Sequence, residues 1–313
     1  MLSRIADSLF WLNRYLERTD SLLRLLKVHY ILSLDKGMNA PQNWSSVLQM
    51  ATYMNGSDIA QIEANMPVVL NKIVLDTQNQ NSLKVIVHRA RENARGAQDH
   101  ITKETWEEVN QIYHYVNQPG LADKLSNNDA LLVIEDLIRH SVAFAGIIEL
   151  TMPRGPGWNF MSLGKYMERC FHTIQVLQSQ LAVINYDIER PADILQWRYL
   201  LLSLSGYELY LKTYTNNNHN YNLLHQVVLN ENFTRSILYS LSRINIYLKK
   251  VLNGNEEKES RALVNSFGKL YSDVKYREAD SFTNENIGQF LEDVRNHLSL
   301  FSTQLAQHFF SYH

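Results

Sequence analysis

The sequence predicts an all-α, multi-helix bundle built around two long related helices, at about 2–33 and 158–185. Only 12 Gly and 6 Pro occur in 313 residues, roughly half of ordinary usage for each, and turns and hairpins consume those two residues. Leu, Gln, Glu, Lys and Arg are plentiful, and their straight side chains lose little freedom in a helix. Apolar residues recur at alternating spacings of three and four through both long segments, the stripe of helices packed at a shallow angle. The length is ample for a substantial core. It is read as a single all-α domain, 1–313, containing two related helical halves, 1–150 and 151–313.

Residues 2–33 carry Leu2, Ile5, Leu9, Leu12, Leu16, Leu23, Leu26 and Tyr30 in one stripe, with Thr19 filling the missing slot. Asp35-Lys36-Gly37 and Pro41 stop this helix. Shorter helices follow near 43–54 and 66–76, divided by Asn55-Gly56. A polar loop, 77–82, precedes helices over 83–99 and 102–117, the latter ending at Pro119-Gly120. A helix over 129–150 is expected to be capped by Asn127 or Asn128. The segment Thr151-Met-Pro-Arg-Gly-Pro-Gly157 holds two Pro and two Gly in seven residues and reads as the hinge between the halves. The second long helix follows. Pro191 introduces a helix over about 192–214, a polar loop spans 216–220, and helices near 222–230, 233–253, 257–276 and 285–310 complete the chain. The polar run 253–260 reads as a solvated linker.

The two long helices align without gaps: Leu9-Phe-Trp-Leu-Asn-Arg-Tyr-Leu-Glu-Arg18 on Phe160-Met-Ser-Leu-Gly-Lys-Tyr-Met-Glu-Arg169. The alignment pairs Arg14 with Lys165, Tyr15 with Tyr166, Glu17 with Glu168, Arg18 with Arg169 and Thr19 with Cys170. The shared register is read as an internal duplication.

A net charge of −2 leaves no electrostatic footprint for nucleic acid or an anionic membrane. No apolar run approaches a membrane span, and the charged N-terminus lacks the h-region of a signal peptide. One cysteine, Cys170, precludes an internal disulfide and a Cys-based zinc site. A cytoplasmic protein is expected. No GxGxxG, Walker-A, HExxH or GxSxG motif occurs, Glu168 and His172 lack a second acid–His pair for a metal, and no cofactor is expected. His29, His114 and His140 read as ordinary helical residues, and Cys170 as a core residue.

Beside the apolar stripe, Phe10, Arg14 and Glu17 fall on one line of the helix and Trp11, Tyr15, Arg18 and Leu22 on the next. Large aromatics beside Arg and Glu are rarely left in water. Two readings stay open. In one, the Glu–Arg pairs fix helix register. In the other, Arg14, Arg18, Lys165 and Arg169 hold an anionic substrate while Glu17 and Glu168 bind an amine or exchange protons. A third cluster, Arg91, Glu92 and Arg95 with Asp99 nearby, is either part of that site or a solvated salt-bridged face. Arg154 in the hinge joins the candidates.

These residues resemble the alpha-E family of bacterial helical proteins. The resemblance runs through residues 1–18, Arg91-Glu-Asn-Ala-Arg95 with Trp106, Met152-Pro-Arg154, Gly157-Trp-Asn-Phe160, Leu163-Gly-Lys-Tyr-Met-Glu-Arg169, Gln196-Trp197, Ser205-Gly-Tyr-Glu208 and Asn232-Phe-Thr-Arg-Ser236. It adds Glu208 to the candidates. Departures stand at Lys165, usually Arg, and at Cys170-Phe171, usually a small residue and an acid. The resemblance implies an all-α fold with a recurrent Glu-Arg pair. It also implies an association with circularly permuted ATP-grasp proteins of the amide-ligase type, transglutaminase-like proteins and a proteasome-like peptidase, hence a place in peptide synthesis or modification.

Three functional classes follow. A helical partner of an ATP-grasp amide ligase, binding that enzyme or its peptide or amino-acid substrate, is the leading expectation. An enzyme acting on amide bonds would need Glu17, Glu92 and Glu168 within reach of the arginines. A structural scaffold would leave pathway output unchanged when Glu17 and Glu168 become Gln.

Overall fold

A computed structural model describes residues 2–35, 44–127, 129–190, 194–253 and 258–310. Among them lie fifteen α-helices and no strand, and no helix is long and apolar enough to cross a membrane. The predicted stops at Lys36-Gly37 and Pro41, the Asn128 cap, Pro191 and residues 254–257 of the polar run lie outside the described residues.

The first helix, α1 (Ser3–Asp35), contributes to both of two compact units: Trp11–Pro153, and Met1–Phe10 with Arg154–His313. The stripe residues Leu9, Leu12, Leu16, Leu23 and Leu26 are buried.

The 11–153 unit continues with α2 (Ser45–Ala51), α3 (Gly56–Ile62), α4 (Met66–Val74), α5 (Leu83–Gly96), α6 (Lys103–Val116), α7 (Leu121–Ser126) and α8 (Ala130–Thr151). Side-chain oxygens of Asn55, Asn65, Ser82 and Thr102 accept the orphan amides of α3, α4, α5 and α6, which sets where each helix starts. Gly120 adopts φ +77° ahead of α7, a conformation that costs other residues energy. The residue at the cap position of α8 is Asp129, with no side-chain cap bond, so the expected Asn127 does not take that position. Helix α6 packs on α5 and on α8, and Lys27 of α1 pairs with Glu135 of α8 at 2.8 Å.

The α6–α8 contact carries a polar seam that helical periodicity does not foretell. His140 Nδ1 lies 2.8 Å from Oε1 of the buried Glu108, although His140 reads in the sequence as an ordinary helical residue. Nearby, the Tyr115 hydroxyl donates to Asp136 at 2.8 Å, and Asp136 also accepts from Arg139.

The second unit comprises the start of α1 together with α9 (Pro156–Val183), α10 (Ile194–Ser203), α11 (Tyr207–Thr213), α12 (His219–Leu224), α13 (Ile237–Leu252), α14 (Lys258–Lys275) and α15 (Ile287–Phe309). Helix α9 packs along α13 and also meets α10 and α15, burying Leu163, Met167, Cys170, Ile174, Leu177 and Leu181. Phe10 meets Phe310 at 5.2 Å between ring centroids.

Beyond the short helices α3 and α7, which the periodicity does not foretell, three stretches of the second unit differ from it. Helix α9 ends at Val183, because Asn185 and Tyr186 take positive φ. The single helix expected over 192–214 is broken into α10 and α11 at Ser205 (φ 55°) and Gly206. A Cβ on Gly206 would lie 2.7 Å from both Gln226 and Phe233, and the Gly206 carbonyl accepts from Gln226 at 2.8 Å; close tertiary packing, not helix propensity, decides the break. Beyond α12 the chain widens into a π-turn, His225–Leu229, a form that hydrophobic spacing does not distinguish from α-helix.

Candidate functional site

On α1 the aromatic and charged residues interleave as a 3.6-residue repeat requires. Trp11 and Tyr15, four apart, stack at 5.3 Å. The Arg14 guanidinium lies 4.5 Å from the Trp11 centroid and that of Arg18 lies 5.8 Å from Tyr15. Arg14 and Glu17 are buried at 8% and 6% exposure, whereas Arg18 is half-buried. Arg18 Nη1 donates to Asn81 Oδ1 at 3.5 Å, one residue before Ser82, the cap of α5.

The α5 cluster is organised by α6. The Arg91 guanidinium sits 4.6 Å from the ring of Tyr113 and 5.7 Å from that of Trp106, and its Nε donates to Asn110 at 2.7 Å. Glu92 lies 3.7 Å from Arg91 and 2.5 Å from Arg95. These three charges are thus brought together, with Arg91 held in the helix contact and Arg95 exposed. Asp99 is exposed on the following turn.

In the second unit, Tyr166, Glu168 and Arg169 of α9 repeat the arrangement of Tyr15, Glu17 and Arg18, whereas Ser162 stands where α1 has Trp11. Glu168 is 6% exposed, the same as Glu17. Arg169 stands 5.4 Å from the Tyr166 ring and Lys165 Nζ 5.7 Å from it, as Arg18 stands over Tyr15. Arg169 Nη1 donates to the Thr234 carbonyl at 3.3 Å, two residues before Ser236, the cap of α13. In both units, then, the arginine of the pair reaches the chain just ahead of a serine-capped helix. Such burial of a carboxylate requires compensation by polar partners.

Helix α13 extends this face with residues that the sequence reading does not single out. Tyr239, Arg243 and Tyr247 follow one another at i, i+4 and i+8. Arg243 lies 5.7–5.8 Å from the rings of Tyr166, Tyr239 and Tyr247, so one ring, Tyr166, has three cationic side chains around it. Tyr166 stacks on Tyr247 at 6.0 Å with 11° between planes. Burial disfavours the charged Arg243, but the hydroxyls of Tyr166, Tyr247 and Tyr239 more than offset this and raise its pKa. Burial, then Tyr166, raises the pKa of Tyr239. The four-residue spacing on α13 is visible in the sequence; its relevance depends on α13 packing against α9, which is not.

Arg154 is exposed, its guanidinium 3.7 Å from the Trp158 ring, and Glu208 is exposed on α11. Cys170 is fully buried, and burial raises its thiol pKa, the opposite of what a nucleophile needs. Among the described residues, no group of three or more His, Cys, Asp or Glu side chains is arranged to hold a metal.

What the arrangement offers chemically is planar cation donors on tyrosine faces next to a buried carboxylate, once on each long helix. Guanidinium groups match carboxylates and phosphates in a fork geometry.

Uncharacterised proteins of Mycobacterium bovis and Mycobacterium tuberculosis are each 23% identical to the chain over 208 residues, covering 61% of it. The chain spans about a quarter of the length of these relatives, 24% in each case. No solved structure matches it. Residues 1–310 match the model of the Alpha-E family, described as a predicted alpha-helical domain with a conserved ER motif, and the chain belongs to that family.

Proposed function

We propose that this chain is a recognition subunit for an ATP-grasp enzyme of the amide-ligase type, binding that enzyme and the carboxylate of its peptide or amino-acid substrate. The association with the ligase derives from the family resemblance. The observation that carries the binding role is the recurrence, on α1 and on α9, of a buried glutamate followed by an arginine over a tyrosine ring. Cations on aromatic faces beside a carboxylate suit an amino acid or peptide end, whose carboxylate and amine demand both signs of charge. The fully buried Cys170 thiol supports recognition over nucleophilic chemistry. That the mycobacterial relatives carry roughly three quarters of their length outside the match is compatible with a partner fused to such a unit.

Co-expression with the cognate ATP-grasp protein, followed by size-exclusion chromatography and an assay of ATP-dependent ligation, tests the reading. Co-elution and a change in ligation rate are expected, both lost in the E17Q/E168Q double variant while its circular dichroism stays helical. Two proteins that elute separately and leave each other's activity unchanged overturn it. A variant that loses stability but retains the full rate reassigns the Glu-Arg pairs to fixing helix register.

A further inference from the structure

The π-turn after α12 opens onto a cleft of about 360 Å³ in the second unit, on residues separate from both Glu-Arg segments. Single π-turns are frequent at functional sites. Here the residue that opens the turn is His225, which lines the cleft.

The hydrogen bonds around His225 assign its tautomer. Asn230 Oδ1 accepts the Asn232 amide at 2.8 Å, which turns the Asn230 Nδ2 toward the Tyr214 hydroxyl oxygen at 3.4 Å. Tyr214 accepts from Asn230, and His225 Nδ1, 2.6 Å away, is the acceptor available to its own proton among the described residues. Burial lowers the pKa of His225, so the ring is neutral near pH 7 and carries its proton on Nε2. That N–H has no hydrogen-bond partner among the described residues. Tyr221 stacks on the ring at 6.4 Å and 15°, and Tyr214 meets it edge-on at 5.8 Å, holding its orientation.

Around this donor the cleft walls present charges of both signs that do not neutralise one another. Lys275 and Arg277 line it, and neither has a carboxylate partner among the described residues. Lys275 Nζ lies 5.5 Å from the Tyr271 ring, and the Arg277 guanidinium lies 4.8 Å from that of Phe290. Glu231, Glu278 and Asp280 line the same cleft, again without a cationic partner among the described residues. Two cations, a neutral N–H donor and separate acids in one concavity match a ligand that carries an anion and a cation a few bonds apart.

We propose that this cleft binds a small zwitterion of the α-amino-acid or dipeptide class, its carboxylate on His225 Nε2–H, Lys275 and Arg277 and its ammonium on the acidic wall.

Calorimetric titration of the full chain with diglycine, N-acetylglycine, glycinamide and inorganic phosphate tests it, with the His225 ring nitrogens followed by NMR. Diglycine is expected to saturate and to shift the Nε2 resonance. N-acetylglycine and glycinamide, each lacking one charge, are expected to bind at least about tenfold more weakly, about 1.4 kcal/mol. K275Q/R277Q is expected to weaken diglycine binding by about tenfold or more, and E278Q/D280Q to do so as well; all four side chains lie at the surface or half-buried, and thermal melts check that the variants fold. Absence of saturable diglycine binding, equal binding by the singly charged probes, tighter binding of phosphate, or unchanged affinity in either charge variant overturns the proposal. These outcomes do not involve the ATP-grasp protein, so failure here and failure of the recognition role are separately visible.

Discussion

Tyr166 of α9 and Tyr247 of α13 stack with their ring centroids 6.0 Å apart and their planes 11° from parallel, and Arg243 lies 5.7 Å from each ring. The pair joins the second Glu-Arg helix to the helix whose N-terminal approach is held by Arg169. Removing the ring and removing only the hydroxyl should therefore have different consequences. Y247A should destabilise the protein by about 3 kcal/mol, the usual cost of deleting a large buried ring. Y247F, which loses only a long 3.5 Å contact from Arg243 Nη2, should cost no more than about 1 kcal/mol. Urea unfolding of both variants measures the difference, and equal midpoints would show that the stack does not hold the two helices.

Gly206 is a second sensitive point. A methyl group there meets Gln226 and Phe233 at 2.7 Å, so G206A should lower stability by about 1–3 kcal/mol despite the better helix propensity of alanine. A thermal melt no lower than that of the unsubstituted chain would show that Gln226 and Phe233 yield freely.

Tyr115 gives a pH test. Burial and its hydrogen bond to Asp136 push its pKa up to about 12. A raised folded-state value means that the native protein holds the proton more tightly than the unfolded chain, whose tyrosine titrates near 10. This contribution to stability is complete below pH about 10 and is lost as pH rises through about 12. NMR titration of the Tyr115 ring should show ionisation near the upper value, and D136N should bring it down toward the lower one. Ionisation near pH 10 in both proteins would mean that the Tyr115–Asp136 bond does not persist in solution.

The buried Cys170 thiol should react with a thiol reagent only as the protein opens, so labelling should accelerate in parallel with urea-induced unfolding. C170S should be tolerated within about 1 kcal/mol, because a hydroxyl at this site can donate to the Tyr166 carbonyl one turn back. Thr19, its counterpart on α1, makes that bond to Tyr15 at 2.9 Å. Rapid labelling of the native chain would contradict the burial.

The helical class, the two long helices and their a/d stripes were legible in the sequence because burial of a stripe is a one-dimensional pattern: Leu12, Leu16 and Leu23 repeat it on α1, and Leu163, Met167 and Cys170 on α9. The Tyr-x-Glu-Arg repeat was legible for the same reason, since i, i+3 and i+4 neighbours are set by the helix itself. Arg18 over Tyr15 and Arg169 over Tyr166 need no tertiary information.

What the tertiary structure alone decided are relationships between elements. Arg243 joins the Tyr166 face only because α13 packs on α9, and Glu108 finds His140 only across the α6–α8 contact. The break at Gly206 arises from side chains 20 and 27 residues away in sequence, Gln226 and Phe233. The unpaired charges around His225 come from a π-turn, α14 and the residues just beyond it. Periodicity records which face of a helix is buried; it carries nothing about which partner covers that face, and the polar chemistry of this protein is built from partners.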